Sequence, residues 1–274
     1  MSPKDMTPGP VERLLRRDRS IVLVAVAVIV ALAGAYTVMG VGMDMSALDV
    51  TRMAPGAGAG KAMPMGMAWS LSHGLLVFFM WWVMMIAMMT PSAAPALLLY
   101  AAVKRLGTER VQATALTLWF LLGYLFVWAA FSLLATGLQW ALGQIGLMND
   151  GLMRLNSRLS AGGILLMAGL FQFSGLKDAC LSHCQSPAKF LTTHNRPGRG
   201  GALRLGAYHG VYCLGCCWAL MALLFVGGIM NLWWIVGLAF YVLAEKTLPH
   251  SRWLTRGTGA LLLGAGGYFA LTGL

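Results

Sequence analysis

Seven long stretches of this chain carry almost no charge, and that pattern removes most soluble folds from consideration. Only 11% of residues are charged and 58% are hydrophobic, whereas a soluble domain keeps about a quarter of its residues charged. The charges are missing from whole segments rather than thinned evenly. A helix that crosses a bilayer needs roughly 20 mostly apolar residues. On that measure the apolar segments are 20–42, 69–90 (continuing toward 103), 114–142, 160–176, 205–227, 231–247 and 257–274. The expectation is an all-α, polytopic transmembrane helix bundle of about seven spans, with the last one short.

The run from Ile21 to Val41 is too long for the apolar core of a cleavable signal and reads as the first span. Residues 1–19, with Arg13, Arg16, Arg17 and Arg19, form a basic cytosolic segment ahead of a single membrane domain, 20–274. The net charge of +11 suggests nucleic acid only until its distribution is read. With the N-terminus cytosolic, sixteen basic residues fall on the inner side, leaving only Arg52, Lys61, Arg154 and Arg158 outside. That asymmetry is the positive-inside pattern of an inner, multi-pass membrane protein. The charge is topological, and no nucleic-acid role is expected.

Two connections are long. The outer one, 43–68, is rich in methionine and small residues, so it reads as a flexible loop. The inner one, 177–204, is basic and contains Pro187 and Pro197. Helix two is expected to break near Pro91 and Pro95, because each proline removes a backbone donor and disfavours helix just before it.

All five cysteines fall in two short segments that flank the inner loop: Cys180 and Cys184 with His183, then His209, Cys213, Cys216 and Cys217. On a helix, Cys180 and Cys184 share a face one turn apart, as do His209, Cys213 and either Cys216 or Cys217. Both segments are expected at the same inner boundary, so two neighbouring helices would bring thiols and imidazoles together. The spacing is not that of a zinc finger and does not name the ion. Cysteine also serves as a small hydrophobe in apolar helices, but all five interleaved with two of the five histidines favours a site.

Methionine forms a second pattern. Met80, Met84 and Met88 stack at four-residue intervals on helix two, with Met85 and Met89 beside them and His73 on the first face. Methionine fills core gaps well, which accounts for a helical stripe as readily as binding does. The loop residues Met43, Met45, Met53, Met63, Met65 and Met67 have no expected core to fill. A thioether is a soft ligand for Cu(I) that needs no deprotonation. Cu(I) is therefore the expected ion, with zinc as the alternative.

Glu245 and Lys246 read as an interfacial pair, although a carboxylate within a membrane segment is a functional suspect. Asp178 reads as solvated, or as an acceptor orienting a histidine. No nucleophile triad, phosphate loop or dinucleotide fingerprint is present, so a non-enzymatic role is favoured over an enzymatic one. The motifs Trp81-x-x-Met84-x-x-Ala87-Met88-Met89-x-Pro91, Lys177-x-x-Cys180-Leu181-x-x-Cys184-x-x-Pro187 and Gly210-x-x-Cys213-x-Gly215-Cys216-Cys217-Trp218 carry a resemblance. From about Trp69 to Lys246 the chain resembles the bacterial family of predicted metal-binding integral membrane proteins, a domain of unknown function. The resemblance implies a membrane and a metal without choosing a reaction. The resulting expectation is Cu(I) uptake, storage or delivery, with a copper chaperone or a membrane cuproenzyme as partner and oligomers allowed. The alternatives are a membrane thiol–disulfide/quinone oxidoreductase and a non-transporting assembly factor for a metalloenzyme.

Overall fold

Sequences this apolar satisfy their backbone groups within each segment, which is what helices do. The computed structural model describes residues 10–40, 46–52, 69–149, 153–194, 196–248 and 251–273. Its helices are α1 (Pro10–Met39), α2 (Ala47–Arg52), α3 (Leu71–Leu106), α4 (Ala113–Gln144), α5 (Arg158–Gln172), α6 (Gly175–Gln185), α7 (Pro187–His194), α8 (Gly198–Ala222), α9 (Leu224–Gly227), α10 (Leu232–Thr247) and α11 (Arg252–Thr272). A two-residue antiparallel pairing, Met148–Asn149 with Arg154–Leu155, is the β structure among the described residues. Helix therefore occupies each of the seven apolar segments. Four helical stretches are long and apolar enough to cross a membrane, and a fifth qualifies if the bent pair α5–α6 counts as one.

Two expectations are corrected. Helix two is not broken near Pro91 and Pro95: α3 runs unbroken for 36 residues through both prolines. Donors from neighbouring groups reinforce the backbone there, with Ser92 Oγ (2.8 Å) and the Tyr124 hydroxyl (3.0 Å) both donating to the Met89 carbonyl. The break falls instead between α5 and α6, a bend of 64°, where the Ser174 hydroxyl accepts from the Lys177 amide and starts a new helix. The basic stretch 177–204 is not a loop either; most of it is helix, divided among α6, α7 and the start of α8.

The supposed outer loop contains α2, whose Thr51 hydroxyl accepts from the Leu232 amide at 2.9 Å. The loop methionines Met43, Met45, Met53, Met63, Met65 and Met67 lie outside the described residues. Of the basic N-terminal segment, residues from Pro10 onward already belong to α1.

The core sits where α3, α4 and α8 meet, filled by Trp81, Phe120, Tyr124, Trp128 and the α3 methionines. Helix α4 approaches α8 so closely that a Cβ at Gly206 would overlap the Phe120 carbonyl. Glycine is required there for its lack of a side chain. A Gly206→Leu variant is expected to lose folded protein on detergent size-exclusion chromatography, because a backbone clash exceeds the about 1–3 kcal/mol of ordinary overpacking. Gly237→Leu on α10, where nothing lies within 4 Å of the added Cβ, is the control expected to elute normally.

The near ends of α3 and α8 are tied by one carboxylate. Glu109 accepts from Lys104 Nζ (2.5 Å) and from the Gly198 amide at the start of α8 (2.7 Å). These two donors hold its carboxyl below the usual range. A depressed pKa contributes stability that is complete above the unfolded value of about 4.3 and is lost as pH falls through the folded one. Thermal unfolding measured between pH 7 and 3 should therefore show an acid-labile component that Glu109→Gln removes.

Candidate metal centre

The thiols lie mainly on α8. Cys213 and Cys217 stand one turn apart, and both Cys216 Sγ (3.1 Å) and Cys217 Sγ (2.9 Å) donate to the Cys213 carbonyl. This local bonding turns the sulfurs back along the helix rather than outward. Helix α6 leaves the 64° bend to lie against this face, and Gly215 makes room for it. A Cβ at 215 would stand 2.7 Å from Cys180 Sγ. Cys184 of α6 and Cys213, Cys216 and Cys217 of α8 lie within electrostatic reach of one another. Met89 of α3 adds a thioether 4.0 Å from Cys217 Sγ. All five cysteines are free thiols.

Among the described residues, no three His, Cys, Asp or Glu side chains gather so as to hold one ion.

Lys246 reaches into this group of sulfurs at Cys213. Its Nζ lies 2.8 Å from Cys213 Sγ and 3.0 Å from Ser92 Oγ. The Tyr124 hydroxyl stands 3.2 Å from the same sulfur. The reading of Glu245 and Lys246 as an interfacial pair is therefore corrected. Both are buried, and adjacent positions on a helix point to different sides. Glu245 pairs with Lys177 at 2.9 Å, the two side chains 1% and 0% exposed. It also accepts from Tyr241 (2.6 Å) and Thr255 (3.0 Å). Asp178 is exposed.

The histidines stand apart from the sulfur contacts. His183 stacks flat on Tyr212, centroids 4.2 Å apart, with Nδ1 2.8 Å from the Ala179 carbonyl. His209 is buried among the rings of Phe120, Tyr124 and Phe190, yet within electrostatic reach of Cys216 and Lys246. His73 sits at the far end of α3, edge-on to Trp69. At about 1.5 Å per residue it is about 24 Å along the axis from Met89. Met80, Met84 and Met88 are buried in the core between those two points.

Lys246, Tyr124 and Ser92 were not singled out from sequence as neighbours of the thiols. They come from three different helices, and no spacing rule links them to Cys213. Met89 belonged to the second methionine row, which carried less weight than the first.

The copper chaperone family PpoB2 matches residues 78–269, well over half the chain. The chain belongs to that family. No curated protein and no solved structure matches it. The match takes in Met89, all five cysteines and Lys246, while α1 and His73 fall outside it. The donor set suits a copper chaperone: buried thiols with a thioether beside them are soft ligands, the class that selects Cu(I). An oxygen-preferring ion such as Mg²⁺ or Ca²⁺ would find no carboxylate among these sulfurs, since Glu245 is engaged elsewhere. The sulfurs available to a soft ion include Cys213, which Lys246 touches, and Cys217, which has Met89 4.0 Å away.

Proposed function

We propose that this protein is a multi-pass bacterial inner-membrane copper chaperone that holds Cu(I) among the sulfurs of α6 and α8 and passes it to a partner. The observation that carries the reading is the group of buried free thiols beside Met89 in a chain of the copper chaperone family. Membrane placement is supported by apolar side chains left on the outside, such as Phe126, Leu134 and Phe240. Surfaces of that kind are costly in water. With α10 and α11 added to the five stretches above, the bundle has seven spans, its N-terminus and basic loops cytosolic. The thiols then lie toward the reducing compartment, where they stay reduced.

Methionine supplies the approach. Met80, Met84 and Met88 mark a line of thioethers along α3 from His73 toward the thiols, and the loop methionines would capture the ion outside. Weak thioethers leading to stronger thiols order the movement inward. The recipient is a soluble copper chaperone or a membrane cuproenzyme.

The test is metal analysis of the full-length protein purified in detergent under reducing, anaerobic conditions. Stoichiometric copper, lowered in Cys217→Ser and less so in Met89→Leu, is the expected result. A preparation that binds zinc but takes up no Cu(I) overturns the assignment. A thiol pair found oxidised in cells by differential alkylation would instead support the oxidoreductase alternative.

A further inference from the structure

We infer that Lys246 is the fixed counter-charge of the sulfur site, a specificity-determining residue that sets the site to take a monovalent rather than a divalent cation. The inference rests on the Cu(I) reading above and says why the ion is the cuprous one.

The argument begins with the charges enclosed around the thiols. Lys177 and Glu245 neutralise one another at 2.9 Å, and Tyr241 and Thr255 occupy the second oxygen of that carboxylate. Glu245 is therefore spent, although it is the residue next to Lys246. Among the described residues, Lys246 makes no ion pair with a carboxylate; its Nζ contacts Cys213 Sγ and Ser92 Oγ. It is 8% exposed. A buried ammonium without an anion is costly by several kcal/mol. The nearest groups able to supply negative charge are the cysteine sulfurs.

Cu(I) on a pair of thiolates leaves one net negative charge, and Lys246 brings the enclosed total to zero. A divalent ion on the same pair is already neutral, so Lys246 becomes an excess positive charge beside a metal cation. A third thiolate would restore neutrality for the divalent ion. Among the described residues, however, no three such ligands gather at a point. Sulfur pairs remain, and with Lys246 in place a pair matches a monovalent ion. Ser92 helps fix the ammonium, because its hydroxyl accepts from Nζ at 3.0 Å while donating to the Met89 carbonyl. The lysine is thus held by the same turn of α3 that presents the thioether.

The experiment compares full-length wild type, Lys246→Met and Lys246→Arg in detergent. Cu(I) affinity is read anaerobically by competition with bicinchoninate, and Zn(II) affinity by competition with a chromogenic zinc chelator. In Lys246→Met the ratio of Cu(I) to Zn(II) affinity should fall about tenfold or more, about 1.4 kcal/mol, while Zn(II) binding holds or strengthens. Lys246→Arg, which keeps the charge, should preserve the wild-type ratio. Equal weakening for both ions, or an unchanged ratio in Lys246→Met, overturns the inference and leaves the copper function standing. Wild-type protein that binds no Cu(I) overturns the function itself, and this inference with it.

Discussion

Metal-free Cys213→Ser protein should unfold well below wild type, and it should take up no stoichiometric Cu(I). The sulfur at 213 touches Lys246 Nζ and the Tyr124 hydroxyl, so its replacement has two separate consequences. A serine hydroxyl is a hard donor with little affinity for Cu(I). It also cannot balance the buried ammonium, and removing one partner of a buried pair typically costs about 3–5 kcal/mol. The double variant Cys213→Ser/Lys246→Met separates the two. It should recover most of the lost thermal stability in detergent and still bind no Cu(I). Full copper occupancy in Cys213→Ser would remove that residue from the site.

The largest purely structural effect is expected at Lys177. Lys177→Met leaves Glu245 buried with its charge unopposed, because Tyr241 and Thr255 supply hydrogen bonds but no cation. The expected loss is again about 3–5 kcal/mol, seen as a lowered unfolding temperature or failure to accumulate. Lys177→Met combined with Glu245→Leu replaces the pair with apolar groups and should restore stability, since well-packed hydrophobic replacements of buried pairs are often neutral or better. The double-mutant cycle gives the coupling energy directly. A Lys177→Met protein as stable as wild type would show that Lys177 and Glu245 are not an obligate pair.

Helices were legible wherever apolar runs are long, and the thiols were legible because one-turn spacing on two neighbouring segments needs no tertiary information. Other features depended on partners distant in sequence. Pro91 and Pro95 suggested a break by local rules, but Ser92 and Tyr124 reinforce the backbone there, and Tyr124 comes from another helix. The real bend has only a small local signature, Ser174 as an N-cap within an apolar run. Glu245 and Lys246 looked like each other's partners because they are adjacent in sequence. Their true partners, Lys177 and Cys213, lie 68 and 33 positions away. The two imidazoles shared a helix face with thiols by spacing, and aromatic rings claimed both: Tyr212 under His183, and Phe120, Tyr124 and Phe190 around His209.

The Glu109 tie has a mechanical consequence. It joins the end of α3 to the start of α8, and each of these helices carries one side of the closest sulfur contact between them. From Gly107 back to Met89 and from Gly198 forward to Cys217, the distances along the two axes are each about 28 Å. The arms of this pair of tongs are therefore nearly equal, with the pivot at a carboxylate and the jaws at two sulfurs. A change of one degree between the arms moves the jaws by about 0.5 Å at that length. A tilt of a few degrees, small for packed helices, would carry the Met89 thioether away from the Cys217 thiol without unfolding any helix.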